Sequence, residues 1–252
     1  MDRAALKTAY DQEGFVVVRG FLAGRELQTL IANLDRYIRD IVPGLPDGDA
    51  FYDDKARPET LKQLNRIEQD GFFAEYRANA QWRELAVALL GESTKPTRGA
   101  EWFNKPPGTD HPTPPHQDNF YFCLSPPQVL TMWLALDQVD EENGCLRYVR
   151  GSHRLGLRAH QRTTTLGFSQ GIPDYGADDY ANEVAIAANP GDLLVHHGNT
   201  IHRADPNRSP TRHRRSFAMV FEGISCRRDD RAFERYSASY KAQHQSMGLQ
   251  TS

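Results

Sequence analysis

In the segment PPHQDNF, His116 and Asp118 stand two residues apart, offering an imidazole and a carboxylate. In extended backbone, side chains at i and i+2 project to the same face, so both could reach one ion. Downstream, in NPGDLLVHHGNTIH, a turn, a strand-like run and a second turn lead to a third donor, His202. His196 and His197 in the same run are rival third donors, one expected to face the core and the other to face out. Two imidazoles and a carboxylate on one side of a metal leave adjacent coordination positions open, the donor set of non-haem Fe(II) centres. Twelve residues beyond His202, Arg214 and Ser216 share one face of a strand-like run. A planar guanidinium keeps its proton and grips a carboxylate bidentately, so it suits the far end of a dicarboxylic guest held in an apolar interior. Arg212 and Arg215 are the neighbouring alternatives; Arg214 is preferred because a serine follows it two residues on.

Strands and turns must bring these groups together. Residues 3–13 read as a short helix and GFVVVRGFL as a strand. Leu27, Leu30, Ile31, Leu34, Ile38 and Ile41 follow helical spacing over 24–42, and Pro43 stops the run. A Pro/Gly/Asp-rich loop at 43–58 and a mixed segment LKQLNRIEQ precede a helix at 80–90, closed by Gly91. Beyond it, RGAEWFN, VLTMWLAL, CLRYV, EVAIA, GDLLVHH and RSFAMVFEG are short β-type runs separated by turns, the pattern of a sandwich or barrel. Residues 229–245 read as a closing helix. The order predicts one α+β domain over 1–252: a helical part at about 1–95 flanking a jelly-roll core at about 96–224. Residues 154–183 are polar, contain glycine and resist assignment; loops of such length are commonly lids, so this one is a candidate cover for the site.

Composition narrows the class. Of 252 residues 39% are apolar and 25% charged, and a formal charge of −3 gives no overall pull toward nucleic acid. The basic run at 203–215 lacks interleaved aromatics and reads as a solvated hairpin rather than a nucleic-acid surface. Cys123, Cys145 and Cys226 form no C-x-x-C pair, which argues against a zinc ribbon or disulfide framework and suits a reducing cytoplasm. Neither an apolar leader nor a run long enough to span a bilayer is evident, so no membrane partner is expected. Nothing in the sequence speaks to oligomeric state.

Beyond the metal-binding pattern, NKPP (104–107), HQDNFYF (116–122), Trp133 within VLTMWLALD, ENGCLRYVRGSH (142–153), PGDLLVHHGNTIH (190–202) and the PNRS and RRSF segments of 206–217 occur in one order. Over roughly 12–223 the chain thereby resembles the phytanoyl-CoA dioxygenases, a branch of the Fe(II)/2-oxoglutarate oxygenases. The resemblance implies a cupin-like double-stranded β-helix, Fe(II) held by catalytic His116, Asp118 and His202, and 2-oxoglutarate and O₂ as co-substrates. It further implies that Arg214 and Ser216 bind the 2-oxoglutarate carboxylate, with Trp133 lining the pocket and Gln63 of KQLNRI near it. The spacing from His202 to Arg214 is one residue longer than the usual one. Asp118 is intact where halogenating relatives carry a small residue, which implies hydroxylation or demethylation.

For the substrate, Lys105, Glu101 and Asn119 are candidate contacts. Glu101 shares a strand face with Phe103 and Lys105. A buried acid is costly without a partner, so Glu101 is either outward-facing or a substrate contact. Lys105 is either an anchor for an anionic group or a strand-end surface lysine. The expected substrate is a small or medium-sized polar metabolite, because nothing suggests an acyl channel or a CoA patch. Two rivals retain the same metal donors: a cupin-like protein that binds without turnover, and a zinc hydrolase, which lacks a placed general base.

Overall fold

Alternation along Val129–Ala135 divides the molecule into layers. Leu130, Met132 and Leu134 pack on one side, beneath the helices, while Trp133 and Ala135 face a second apolar core on the other. The structure is a computed structural model describing residues 2–46, 48–163 and 170–246, with backbone alone for 242–246. Val129–Ala135 belongs to an antiparallel seven-stranded sheet ordered Phe15–Val18, Leu193–His197, Val129–Ala135, Arg214–Gly223, Thr94–Lys105, Leu61–Leu64 and Ala50–Tyr52. Facing it is a four-stranded antiparallel sheet ordered Glu183–Ala185, Leu146–Val149, His202–Ala204 and Thr113–His116. Phe15, Trp133, Leu146, Tyr148, Leu194 and Ala218 fill the space between the sheets. Side-chain period 2 on both inner faces produces this double-stranded β-helix.

The helical layer covers the other face of the large sheet. Gly24–Asp40 buries Leu30, Leu34 and Tyr37, spaced as one helical stripe. Ala80–Leu90 buries Trp82, Leu85 and Leu89; Asn79 caps its start by accepting from the Gln81 amide, and left-handed Gly91 ends it. Each fully buried leucine contributes about 2 kcal/mol of apolar transfer. Arg3–Glu13 and a terminal Asp230–Ser246 helix lie where the sequence pattern puts them, within a residue or two.

The first 95 residues are less purely helical than the sequence order suggests. Phe15–Val18, Ala50–Tyr52 and Leu61–Leu64 are all strands of the large sheet, the second of them inside the expected 43–58 loop. The expected cover at 154–183 contains a short ribbon pairing Gln161–Arg162 with Gln170–Gly171 and a helix at Ala177–Asn182. Its residues 164–169 lie outside the described residues. Among the described residues, no helix is long and apolar enough to cross a membrane.

Candidate metal and co-substrate site

His116 ends the Thr113–His116 strand and is paired directly with His202 on the neighbouring antiparallel strand, their ring centroids 4.1 Å apart. The sequence pattern puts Asp118 on the same strand, but it instead opens the short helix Asp118–Phe122. Gln117 nevertheless stays extended (φ −126°, ψ 126°), which preserves the i, i+2 relation and turns Asp118 toward the two imidazoles. His116 Nε2 and His202 Nε2 lie 3.5 and 3.6 Å from Asp118 Oδ1, and one donor atom from each residue falls within 4.8 Å of the others. His116 Nδ1 donates to the Pro114 carbonyl at 2.8 Å, and His202 Nδ1 to that of Thr200 at 3.0 Å. Those bonds fix the tautomers and aim both Nε2 lone pairs at the space between the three residues. Burial holds the His202 imidazole well below its ordinary pKa, while His202, His116 and His196 outweigh burial to hold the Asp118 carboxyl well below its own. Neutral imidazole and anionic carboxylate are the metal-binding forms.

The second oxygen of Asp118 is also held. Thr131 Oγ1 donates to Oδ2 at 2.5 Å and His196 Nε2 donates at 3.0 Å. With its Nε2 proton so committed, His196 accepts at Nδ1 from the Tyr148 hydroxyl, 3.0 Å away. His196 is therefore a support for the carboxylate and not the third donor. His197 points the other way, toward Tyr10 and His153, with ring centroids 6.2 and 5.4 Å distant. The adjacent HH pair in the sequence marked the position but gave no sign of this supporting role.

Arg214 begins the Arg214–Gly223 strand opposite Lys105, and its side chain is 4% exposed. The guanidinium carbon lies 5.5 Å from the centre of the Trp133 ring. Arg212 is paired with Asp140 and Glu142, and Arg215 with Asp137, whereas Arg214 has no ion pair among the described residues. Asn143 and Asn207 tie down this corner, donating to the His213 and Arg212 carbonyls respectively. Of the three candidate arginines, only Arg214 turns inward. Its Nε and the Ser216 hydroxyl are buried without a hydrogen-bond partner. A buried cation and hydroxyl left unsatisfied in a native fold call for an explanation, and a carboxylate guest supplies one. Arg203 of the same run is neutralised as well, by Glu183 and Asp205, so most of the run's cations are paired with acids of the fold.

Gln117, between two of the metal-site donors, fastens the cover. Its amide donates to the carbonyls of Gly156 (2.8 Å) and Asn199 (2.7 Å), its side-chain oxygen accepts from the Arg158 amide (2.7 Å), and its own N–H donates to His160 Nε2 (3.1 Å). His160 stacks on Phe120 with centroids 4.1 Å apart. Burial pushes its pKa down to about 4, so it is neutral and able to accept.

The substrate candidates fare differently. Glu101 and Phe103 face inward with Ala218, while Ala100 and Trp102 belong to the core under the helices. Lys105 is buried and donates to the His111 carbonyl at 2.9 Å, so it is not a surface lysine. Gln63 pairs with Phe103 across the strands and donates to Asn65 Oδ1 at 2.9 Å. The Asn119 side chain is engaged locally: it both donates to and accepts from the Leu124 backbone, closing the turn after the short helix.

The residues fit a metal and a dicarboxylate: three preset donors for the first, an unsatisfied guanidinium and hydroxyl for the second. Comparison with known proteins bears on both. The family model described as "Phytanoyl-CoA dioxygenase (PhyH)" matches residues 10–216. Phytanoyl-CoA dioxygenase 1 of Oryza sativa subsp. japonica is 34% identical over 119 residues, 46% of this chain and 41% of that protein. The phytanoyl-CoA dioxygenase of Arabidopsis thaliana is 29% identical over 187 residues, 71% of this chain and 64% of that one. The chain thus spans less than two thirds of the length of these curated relatives. Among solved structures, EvdO2 from Micromonospora carbonacea var. aurantiaca, complexed with 2-oxoglutarate, superposes with a TM-score of 0.70 at 26% identity, covering 87% of this chain and 90% of its own. The donor set suits a divalent metal ion, and the guanidinium and hydroxyl suit a carboxylate guest.

Proposed function

Because the chain belongs to the phytanoyl-CoA dioxygenase family, we propose that it is an Fe(II)- and 2-oxoglutarate-dependent dioxygenase that hydroxylates an unactivated carbon of a small or medium-sized polar metabolite. The observation that carries this reading is the unsatisfied Arg214 guanidinium and Ser216 hydroxyl, buried in the same interior as the His116, Asp118 and His202 cluster. When bound, iron and 2-oxoglutarate supply the oxidising chemistry: O₂ is consumed, succinate and CO₂ are released, and oxygen enters a C–H bond.

The chain's own residues bind, orient and exclude. His116, Asp118 and His202 would hold the metal, their donor atoms already gathered about one point. Thr131 and His196 keep Asp118 from rotating, so one oxygen remains directed at the ion. Arg214 and Ser216 would anchor the far carboxylate of 2-oxoglutarate, with the Trp133 ring beside the guanidinium. The segment at 156–160, fastened by Gln117, keeps solvent from the site. Retention of Asp118 favours oxygen transfer over halogenation.

Anaerobic addition of Fe(II) and 2-oxoglutarate should produce a weak visible absorption band from the chelate, and admission of O₂ should yield succinate. A band without succinate, even slowly and without substrate, would make this a binding protein. A zinc-dependent hydrolysis indifferent to O₂ would make it a hydrolase.

A further inference from the structure

Glu101 lies on the inner wall of the barrel, half-buried, opposite Ala218 and in the same row as Phe103 and Lys105. Among the described residues it has no ion pair and no hydrogen bond, although charged groups lie nearby. Arg98 donates instead to the Tyr121 carbonyl and lies over the Phe122 ring. Glu68 accepts from the Ala100 amide and faces Arg77. Lys105, further along the row, is committed to the His111 carbonyl. The cations that could answer Glu101 are thus engaged elsewhere.

The charges of the site sharpen the point. Arg214 is matched by the far carboxylate of 2-oxoglutarate, and the metal by Asp118 and the co-substrate's keto-acid end. Glu101 is then a carboxyl group on the wall whose negative form has no ion pair among the described residues. Burial pushes its pKa up to about 7; Arg98 opposes the rise and the negative charge of Asp118 adds to it. An enclosed carboxylate without a partner is unfavourable, and a guest that brings a positive donor removes the penalty and gains a charge-assisted bond. An anionic guest would meet repulsion from the same group.

Building on the oxygenase reading, we infer that Glu101 selects the primary substrate, and that this substrate carries a basic nitrogen, a protonated amine or guanidinium, which pairs with the Glu101 carboxylate while a neighbouring carbon is presented to the metal. Glu101 is here a specificity residue: it binds and orients, and takes no part in the oxidation.

The test uses the full chain loaded with Mn(II) and 2-oxoglutarate, which binds without turnover, and calorimetry with matched probes. Pentylamine is compared with 1-pentanol, butylguanidine with butylurea, and putrescine with both butanediol and succinate. At least one cationic probe should bind about tenfold or more tightly than its uncharged match, the worth of a charge-assisted hydrogen bond. Glu101→Gln, nearly isosteric, should reduce that preference to about twofold, and Glu101→Lys should turn it toward the anion. A panel in which no cation is preferred, including one in which nothing binds, overturns the inference, as does a preference that survives Glu101→Gln. The Fe(II) chelate band separates the two readings. If the wild-type protein lacks it, the oxygenase reading fails; if it is present without a cation preference, only the role of Glu101 fails.

Discussion

Replacing Arg214 with methionine should make the protein more stable on its own and deaf to 2-oxoglutarate. The side chain is 4% exposed, has no ion pair among the described residues, and burial pushes its pKa well below the ordinary guanidinium value, to about 10. At about 1.4 kcal/mol for each power of ten in acidity, enclosing this charge costs on the order of 3 kcal/mol. The folded-state pKa of a cation is depressed, so the cost is present in full at every pH below about 10, including neutrality. The Trp133 contact returns about 1 kcal/mol, and methionine replaces much of the buried stem. The net gain for Arg214→Met is therefore about 2 kcal/mol, or about 4–8 °C in a chain of this size. With Mn(II) and 2-oxoglutarate at about one hundred times its dissociation constant, the wild type should recover about 2.7 kcal/mol, and the variant almost nothing. Scanning calorimetry with and without 2-oxoglutarate would show the order of melting temperatures narrowing or reversing. A variant that melts lower than wild type without ligand, yet shifts equally with it, would refute the idea that Arg214 is an unsatisfied charge awaiting a carboxylate.

Other consequences are as direct. Ser216→Ala should weaken 2-oxoglutarate by about 1 kcal/mol, roughly fivefold, in the same titration, because it removes one neutral donor. Thr131→Val or His196→Phe should lower metal affinity by about 10- to 100-fold, since each removes a bond to Asp118 Oδ2; unchanged competition against a chelator would exclude that role. Gln117→Ala removes the side-chain bonds that hold 156–160, so hydrogen exchange there should quicken while the Ala80–Leu90 helix stays protected. Burial depresses His197 to about 4, so stability should be full above its unfolded value of about 6.5 and decline as the pH falls through 6.5 toward 4. Acid unfolding of His197→Gln should begin at lower pH than in the wild type, and an identical acid limb would sink that assignment.

Much of this site was legible because its parts obey short-range rules. The H-x-D spacing needs only extended backbone at Gln117, and that held even though Asp118 proved to start a helix. Choosing Arg214 over its neighbours rested on Ser216 two residues on; the structure adds the physical reason, since acids nearby in the fold occupy Arg212 and Arg215. The β-runs after residue 95 were readable from alternation. Ala50–Tyr52 was not, because three residues among proline, glycine and aspartate carry no periodic signal and pair only once Leu61–Leu64 is in place. The role of His196 was hidden for a similar reason: its partners Thr131, Tyr148 and Asp118 come from three separate elements, and only tertiary packing unites them. For Asn119, a polar residue beside a candidate metal ligand reads as functional, while its backbone-satisfying bonds to Leu124 cannot be seen in sequence.

The glutamine interposed between His116 and Asp118 has a consequence for how such enzymes diversify. Loop swapping is the obvious route to new substrates, yet here the loop is latched to the very tripeptide that carries two of the three candidate metal donors. A transplanted loop lacking matching backbone groups at 156, 158 and 160 would leave a buried amide unanswered at the heart of the centre and disturb the donors on either side. Recruiting a foreign loop therefore means moving latch and keeper as one piece.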